Sequence, residues 1–156
     1  MVNLSLPTIL LVALGATSAT AFGRARVENK CTETVHVWSI GSDVAGPYAL
    51  TQGGYYAEEF RKDPVTGGKA LKITKNADGL YTGAAQTIFA YNLDNDKIWY
   101  DLSDVFGDAF VGKKITVKSA DASCDSIIWP NGVPPAGSQV KVCTAAKDVV
   151  FTLCAP

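Results

Sequence analysis

The 156-residue chain has one histidine and no Cys-x-x-Cys pair, and neither sign of charge is in marked excess. Each shortage removes a class of function. His36 would have to serve any Ser-His-Asp or Cys-His centre, yet it sits in an alternating segment beside Trp38, and no serine lies in a G-x-S-x-G elbow. A structural zinc site needs more cysteine and histidine at closer spacing than is present. A copper histidine brace needs a histidine at the processed N-terminus, where Phe22 is expected. Fourteen basic residues against fifteen acidic ones give a net charge of −1, with no electrostatic footprint for nucleic acid or anionic lipid. No cofactor and no metal are expected.

Long apolar runs are also scarce. The one clear run, "LPTILLVALGA" (6–16), is too short to span a bilayer and is followed by Ala19-Thr20-Ala21, the small-x-small pattern of a signal-peptidase site. Residues 1–21 are expected to be a signal peptide and 22–156 a single secreted domain, with no membrane span and a monomeric state. In that oxidising compartment Cys31, Cys124, Cys143 and Cys154 read as two disulfides, with three connectivities open.

Hydrophobic residues recur with a period of two. Val35 and Val37 alternate with His36 and Trp38, Leu71 and Ile73 with Lys72 and Thr74, Ile115 and Val117 with Thr116, and Val140 and Val142 with Lys141. Further candidate strands are 86–93, 97–102, 126–129 and 149–154. Such alternation marks strands with one buried and one wet face. Gly53-Gly54, Asp63-Pro64, Asp78-Gly79, Asp94-Asn95, Asn131-Gly132 and Pro134-Pro135 supply the intervening turns. Nothing reads as a long amphipathic helix, so the fold class is all-β, a sandwich or barrel.

The segment "IWYDLSDVFGDAF" (98–110) sets Asp101, Asp104 and Asp108 in an apolar, aromatic run. A glycosidase needs two carboxyls about 5–5.5 Å apart for retention or about 6.5–9.5 Å for inversion. On a strand, Asp101 and Asp104 would be about 10 Å apart on opposite faces; in a helical turn they would be about 5–6 Å apart. The non-catalytic alternative is a strand, "KIWYDL", followed by one helical turn, "SDVFG", whose N–H groups the Asp and Ser side chains accept from. A calcium loop is not indicated, since Asp94, Asp96 and Asp101 lack EF-hand spacing. Glu58, Glu59 and Asp63 can meet the cluster from another strand, making Asp101, Asp104, Asp108, Glu58 and Glu59 a candidate acidic groove. Tyr55 and Tyr56, neighbours that must point to opposite faces, are candidate sugar contacts beside Glu58.

"RVENKCTETVHVW" and "DVVFTLCAP" resemble the opening and closing strands of thaumatin-like proteins. "FRKDPVTGGKALKIT", "GLYTGAAQTIFAYNLDNDKIWYDLSDVFGDAF" and "WPNGVPPAGSQVKVC" resemble the Blastomyces yeast-phase-specific family, the fungal antigenic thaumatin-like proteins. The resemblance implies a thaumatin-like β-sandwich with Cys31–Cys154 and Cys124–Cys143 bridges, and an extracellular or cell-wall location. It implies surface recognition rather than settled enzymatic activity, with a wall polysaccharide or a host surface protein as partner. Larger thaumatin-like proteins carry an acidic cleft, and some hydrolyse or bind β-1,3-glucan. Asp101 matches the first Asp of their cleft motif, whereas Phe106 stands where the second falls, Asp104 is two positions early, and Ala90 occupies the place of the cleft Glu. The alternatives carried forward are a β-glucan- or chitin-binding module and a weak β-1,3-glucanase.

Overall fold

The period-two segments around Val35, Leu71 and Ile115 become strands with those side chains buried in the structure, a computed structural model that describes residues 21–156, whereas Val140 and Val142 are exposed and Cys143 is the buried residue of its strand. Apart from Ala21, the expected leader lies outside the described residues. The strands are β1 (Arg24–Asn29), β2 (Val35–Ile40), β3 (Val44–Leu50), β4 (Tyr55–Glu59), β5 (Lys69–Thr74), β6 (Gln86–Asp94), β7 (Lys97–Val105), β8 (Ile115–Ser119), β9 (Ile127–Trp129), β10 (Lys141–Thr144) and β11 (Val149–Leu153). One short helical turn, α1 (Gly79–Thr82), lies between β5 and β6. Among the described residues no helix is long and apolar enough to cross a membrane.

The strands form a five-stranded sheet, β4-β1-β11-β8-β9, and a six-stranded sheet, β10-β7-β6-β5-β2-β3. All pairings are antiparallel except the one that joins the first strand to the last, β1 with β11. Cys31 and Cys154, just beyond the ends of those two strands, are joined over 123 residues, and Cys124 is joined to Cys143 over 19. In the chain-entropy picture the longer loop contributes more, about 4.7 kcal/mol for a loop of 100 residues against about 3 for one of 15.

Strand parity builds the core. The five-stranded sheet turns in Val27, Phe151, Val117 and Ile127, which are direct register neighbours. The six-stranded sheet answers with Leu71, Phe89 and Leu102 in one row and Tyr91 and Tyr100 in the next. Phe89 and Phe151 meet across the gap with ring centroids 6.0 Å apart. Asn29 is fully buried and works as a polar rivet, donating to the carbonyls of Glu33 and Leu50 and accepting from the N–H of Cys31.

The opposite, outer face of the six-stranded sheet is covered at one end only. There Trp38 is buried under Tyr81 of α1, in an edge-to-face contact at 5.4 Å, and its Nε1 donates to Thr74 Oγ1. Gly79 permits this cover, because a Cβ at that position would stand 2.7 Å from Thr74 Cβ. The other end of the face stays open.

One expected element is different. The "SDVFG" segment is not a helical turn: β7 continues through Val105, paired residue by residue with β6 as far as Gln86. That ladder satisfies the backbone groups a helical turn would have used. The reversal comes afterwards, at Phe106 (φ 60°) and Gly107 (φ 106°).

Candidate functional site

The open end of the outer face is a cleft of about 470 Å³. Its floor follows one register row across four strands, Ile40, Ala70, Ala90 and Asp101. The two alanines keep the floor low where larger side chains would fill it. Trp99, two residues from Asp101 on the same face of β7, is 43% exposed and forms one wall with Val140. Thr66, Gly68 and Gly41 form the other, and Asn92 sits opposite Trp99 in the β6–β7 ladder. Asp101 accepts a 2.7 Å hydrogen bond from the N–H of Leu102 and is the one carboxylate among the lining residues. A smaller cleft of about 330 Å³ adjoins it, between the free edge of β7 at 101–104 and the 134–140 loop.

The far wall is anchored by Asp63. Its carboxylate accepts from Thr66 N–H (2.8 Å), Val65 N–H (3.0 Å), Ser42 N–H (2.8 Å) and Ser42 Oγ (2.9 Å). The backbone donors of Thr66 and Ser42 hold that carboxyl far below its ordinary range. One side chain therefore ties the 63–68 loop to the turn between β2 and β3, both of which border the cleft.

The other acids singled out in the sequence lie elsewhere. Tyr56 and Glu58 project inward from β4, and Glu58 accepts from Ser39 Oγ (2.6 Å), Tyr56 OH (2.8 Å) and Tyr91 OH (2.5 Å). Burial and the adjacent Glu58 charge push both phenols up. Tyr48 stacks on Tyr56 at 4.7 Å, so this group sews the edge of one sheet to the other. Tyr55 points the opposite way, exposed, with the Arg26 guanidinium 3.9 Å from its ring centre, and Glu59 is exposed at the strand end. Neither Tyr55 nor Tyr56 lines either cleft.

Asp104 faces inward, opposite Thr87, at the end of the row that contains Val37 and Ile73. Both of its carboxylate oxygens are shielded from solvent without a hydrogen-bond partner. Burial pushes the carboxyl up to about 7; Asp108, brought back by the Phe106–Gly107 turn, adds to the rise, and the nearby Thr87 hydroxyl opposes it without a well-aligned bond.

The single acidic groove expected from Asp101, Asp104, Asp108, Glu58 and Glu59 is therefore not formed. Asp101 and Asp104 differ by an odd number of positions on one strand and project from opposite faces, and Glu58 is consumed by three hydroxyls. Trp99, whose exposure its aromatic character hid, takes the place next to Asp101. Its i, i+2 spacing from that residue on a strand is the signal that places them together. His36 is a half-buried strand residue with Nδ1 3.2 Å from the Lys75 carbonyl. Asp121 lies beside Cys124 and Cys143, but both sulfurs are committed to their disulfide.

Known proteins agree with this architecture. The sequence model of the Blastomyces yeast-phase-specific protein family matches residues 12–155. An antigenic thaumatin-like protein of Arthroderma benhamiae is 28% identical over 144 residues, covering 85% of this chain and 71% of its own. The secreted thaumatin-like protein calA of Emericella nidulans is 25% identical over 137 residues, 78% of each chain. Among solved structures, the protein elicitor MoHrip2 from Magnaporthe oryzae superposes with a TM-score of 0.70 at 27% identity, over 85% of this chain and 99% of that one. The thaumatin-like xylanase inhibitor TLXI, at 14% identity and a TM-score of 0.56 over 84% and 99% of the two chains, shares the fold. The relatives' secreted character and the two disulfides fit an extracellular protein. With a family match over nearly its whole length and a two-disulfide sandwich of the same kind, the chain belongs to the Blastomyces yeast-phase-specific family of thaumatin-like proteins.

Proposed function

We propose that this protein is a non-enzymatic recognition protein, wall-associated or released and acting as a monomer, whose outer cleft binds a wall polysaccharide of the β-glucan or chitin type. The observation that carries the reading is the sharing of one open cleft by Trp99 and Asp101 over a floor of Ala70 and Ala90. An exposed aromatic face packs against the apolar face of a sugar ring, and a carboxylate with an amide and a hydroxyl nearby suits its ring hydroxyls. Hydrolysis needs a second carboxyl across the scissile bond. Ala90 is the residue opposite Asp101, and Asp104 points to the other side of the sheet.

Co-sedimentation with insoluble β-1,3-glucan and with chitin tests this. The wild type is expected in the pellet of at least one polymer, with Trp99→Ala lowering retention about tenfold and Asp101→Asn lowering it less. Retention unchanged in both variants would sink the proposal. The likeness to the elicitor MoHrip2 supports a second reading, in which a host surface protein is the partner. That reading gains if neither polymer retains the protein while intact host cells do.

A further inference from the structure

The inner end of β7 carries polar groups that the cleft does not use. Thr87 is fully buried, and its Oγ1, like both carboxylate oxygens of Asp104 opposite it, has no hydrogen-bond partner among the described residues. The Phe106–Gly107 reversal returns Asp108 to the same spot, so a second carboxyl acts directly on the first. None of the ion pairs among the described residues includes Asp104 or Asp108. Lys75, which reaches over the Phe110 ring, pairs with Glu33 instead. A shielded carboxyl and hydroxyl beside a second, half-buried carboxyl, without a basic partner, form an arrangement that costs free energy unless a proton or a cation is added.

We propose that Asp104, Asp108 and Thr87 Oγ1 form a binding site for a divalent cation, Ca²⁺ in the first place. The donor set is all oxygen, with neither sulfur nor imidazole, which suits hard cations rather than zinc or copper. Carboxylates that bind through one or both oxygens, together with a hydroxyl, match the irregular oxygen shells of Ca²⁺ better than the strict octahedron of Mg²⁺, with water or backbone carbonyls completing the shell. Asp108 is only half-buried and provides the way in from solvent. A bound cation would neutralise the pair and clamp the Phe106 turn to the β6–β7 ladder. The site is on the opposite side of the sheet from the cleft and does not depend on what the cleft binds.

The experiment is thermal unfolding of the secreted protein at neutral pH and fixed ionic strength, in EDTA and in millimolar CaCl₂ or MgCl₂, with equilibrium dialysis against radiolabelled calcium. A ligand that binds only the folded state raises its melting temperature; a rise of about 5 °C or more in calcium is expected, larger than in magnesium. Asp104→Asn and Asp108→Asn should each abolish the calcium response and the bound label, and Asp94→Asn, at an exposed acid that ends β6, should keep both. If Asp104→Asn does not fold, the half-buried Asp108→Asn decides alone. No calcium-dependent rise in the wild type, or a rise that persists in the folded site variants, overturns the proposal. Calcium insensitivity together with a higher melting temperature in Asp104→Asn also overturns it, and assigns the pair to a shared proton.

Discussion

Asp101 and Asp104 lie on one strand, close together in sequence, and they meet opposite environments. Asp101 is on the outer face beside an exposed tryptophan and an open cleft; Asp104 is on the inner face, its oxygens cut off from water. The same residue type is an outward-looking hydrogen-bonding group in one case and an unpartnered internal carboxyl in the other. Position parity, rather than local composition, decides which chemistry a carboxylate on a strand can do. It also separates the cleft proposed for recognition from the packed core: the two occupy opposite sides of a six-stranded sheet.

The largest effect is expected on the inner face. Leu102→Ala, at a 1%-exposed position between the two aspartates, is expected to cost about 2–5 kcal/mol, while Ser103→Ala beside it on the outer face should stay within about 0.5 kcal/mol. Urea unfolding of the two variants checks this, and equal costs would mean that the faces are wrongly assigned. Next comes Glu58→Ala, which strands the hydroxyls of Ser39, Tyr56 and Tyr91 and should cost about 2 kcal/mol. Calorimetry of Glu58→Ala and of Tyr56→Phe, with the latter near 1 kcal/mol, orders the contributions.

Asp63 sharpens the outer side through pH. Its folded-state value is depressed, so its contribution is present above the unfolded value of about 4 and is lost as pH falls below it. The wild type should therefore lose stability on acidification more steeply than Asp63→Asn, as measured by melting temperature across the acid range. Asp63→Asn should also weaken polymer retention by releasing the far wall of the cleft. The smallest thermodynamic effect is expected of Asp101→Asn, within about 0.5 kcal/mol of wild type by the same unfolding assay, with its consequence confined to ligand retention.

Much of the fold can be read from the chain alone, because burial of one face forces alternation that valine, isoleucine and leucine reveal directly. Strand β3 escapes such reading: Gly46 and Pro47 interrupt it, and its side chains Val44 and Tyr48 are exposed because it is an edge strand. The end of β7 escapes too, since "SDVFG" suits either a helical turn or a strand, and only pairing with β6 selects the strand. The site is legible in part. Asp101 stands out from its motif, but nothing local says that Ile40, Ala70 and Ala90 will line up with it, because cross-strand register joins residues from four separate strands. Glu58 looks available in the sequence for the same reason: the three hydroxyls that occupy it come from β2, β4 and β6.

Under the proposed function, the outer cleft binds polysaccharide and leaves it intact. Incubation of the wild type and of the Asp101→Asn, Asp104→Asn double variant with insoluble β-1,3-glucan and chitin, with pelleted protein and released reducing sugar measured in the same tubes, tests it most directly. Wild-type protein is expected in the pellet of at least one polymer, with no sugar release above the buffer control and less retention in the variant. Sugar release by the wild type that disappears in the double variant would contradict it.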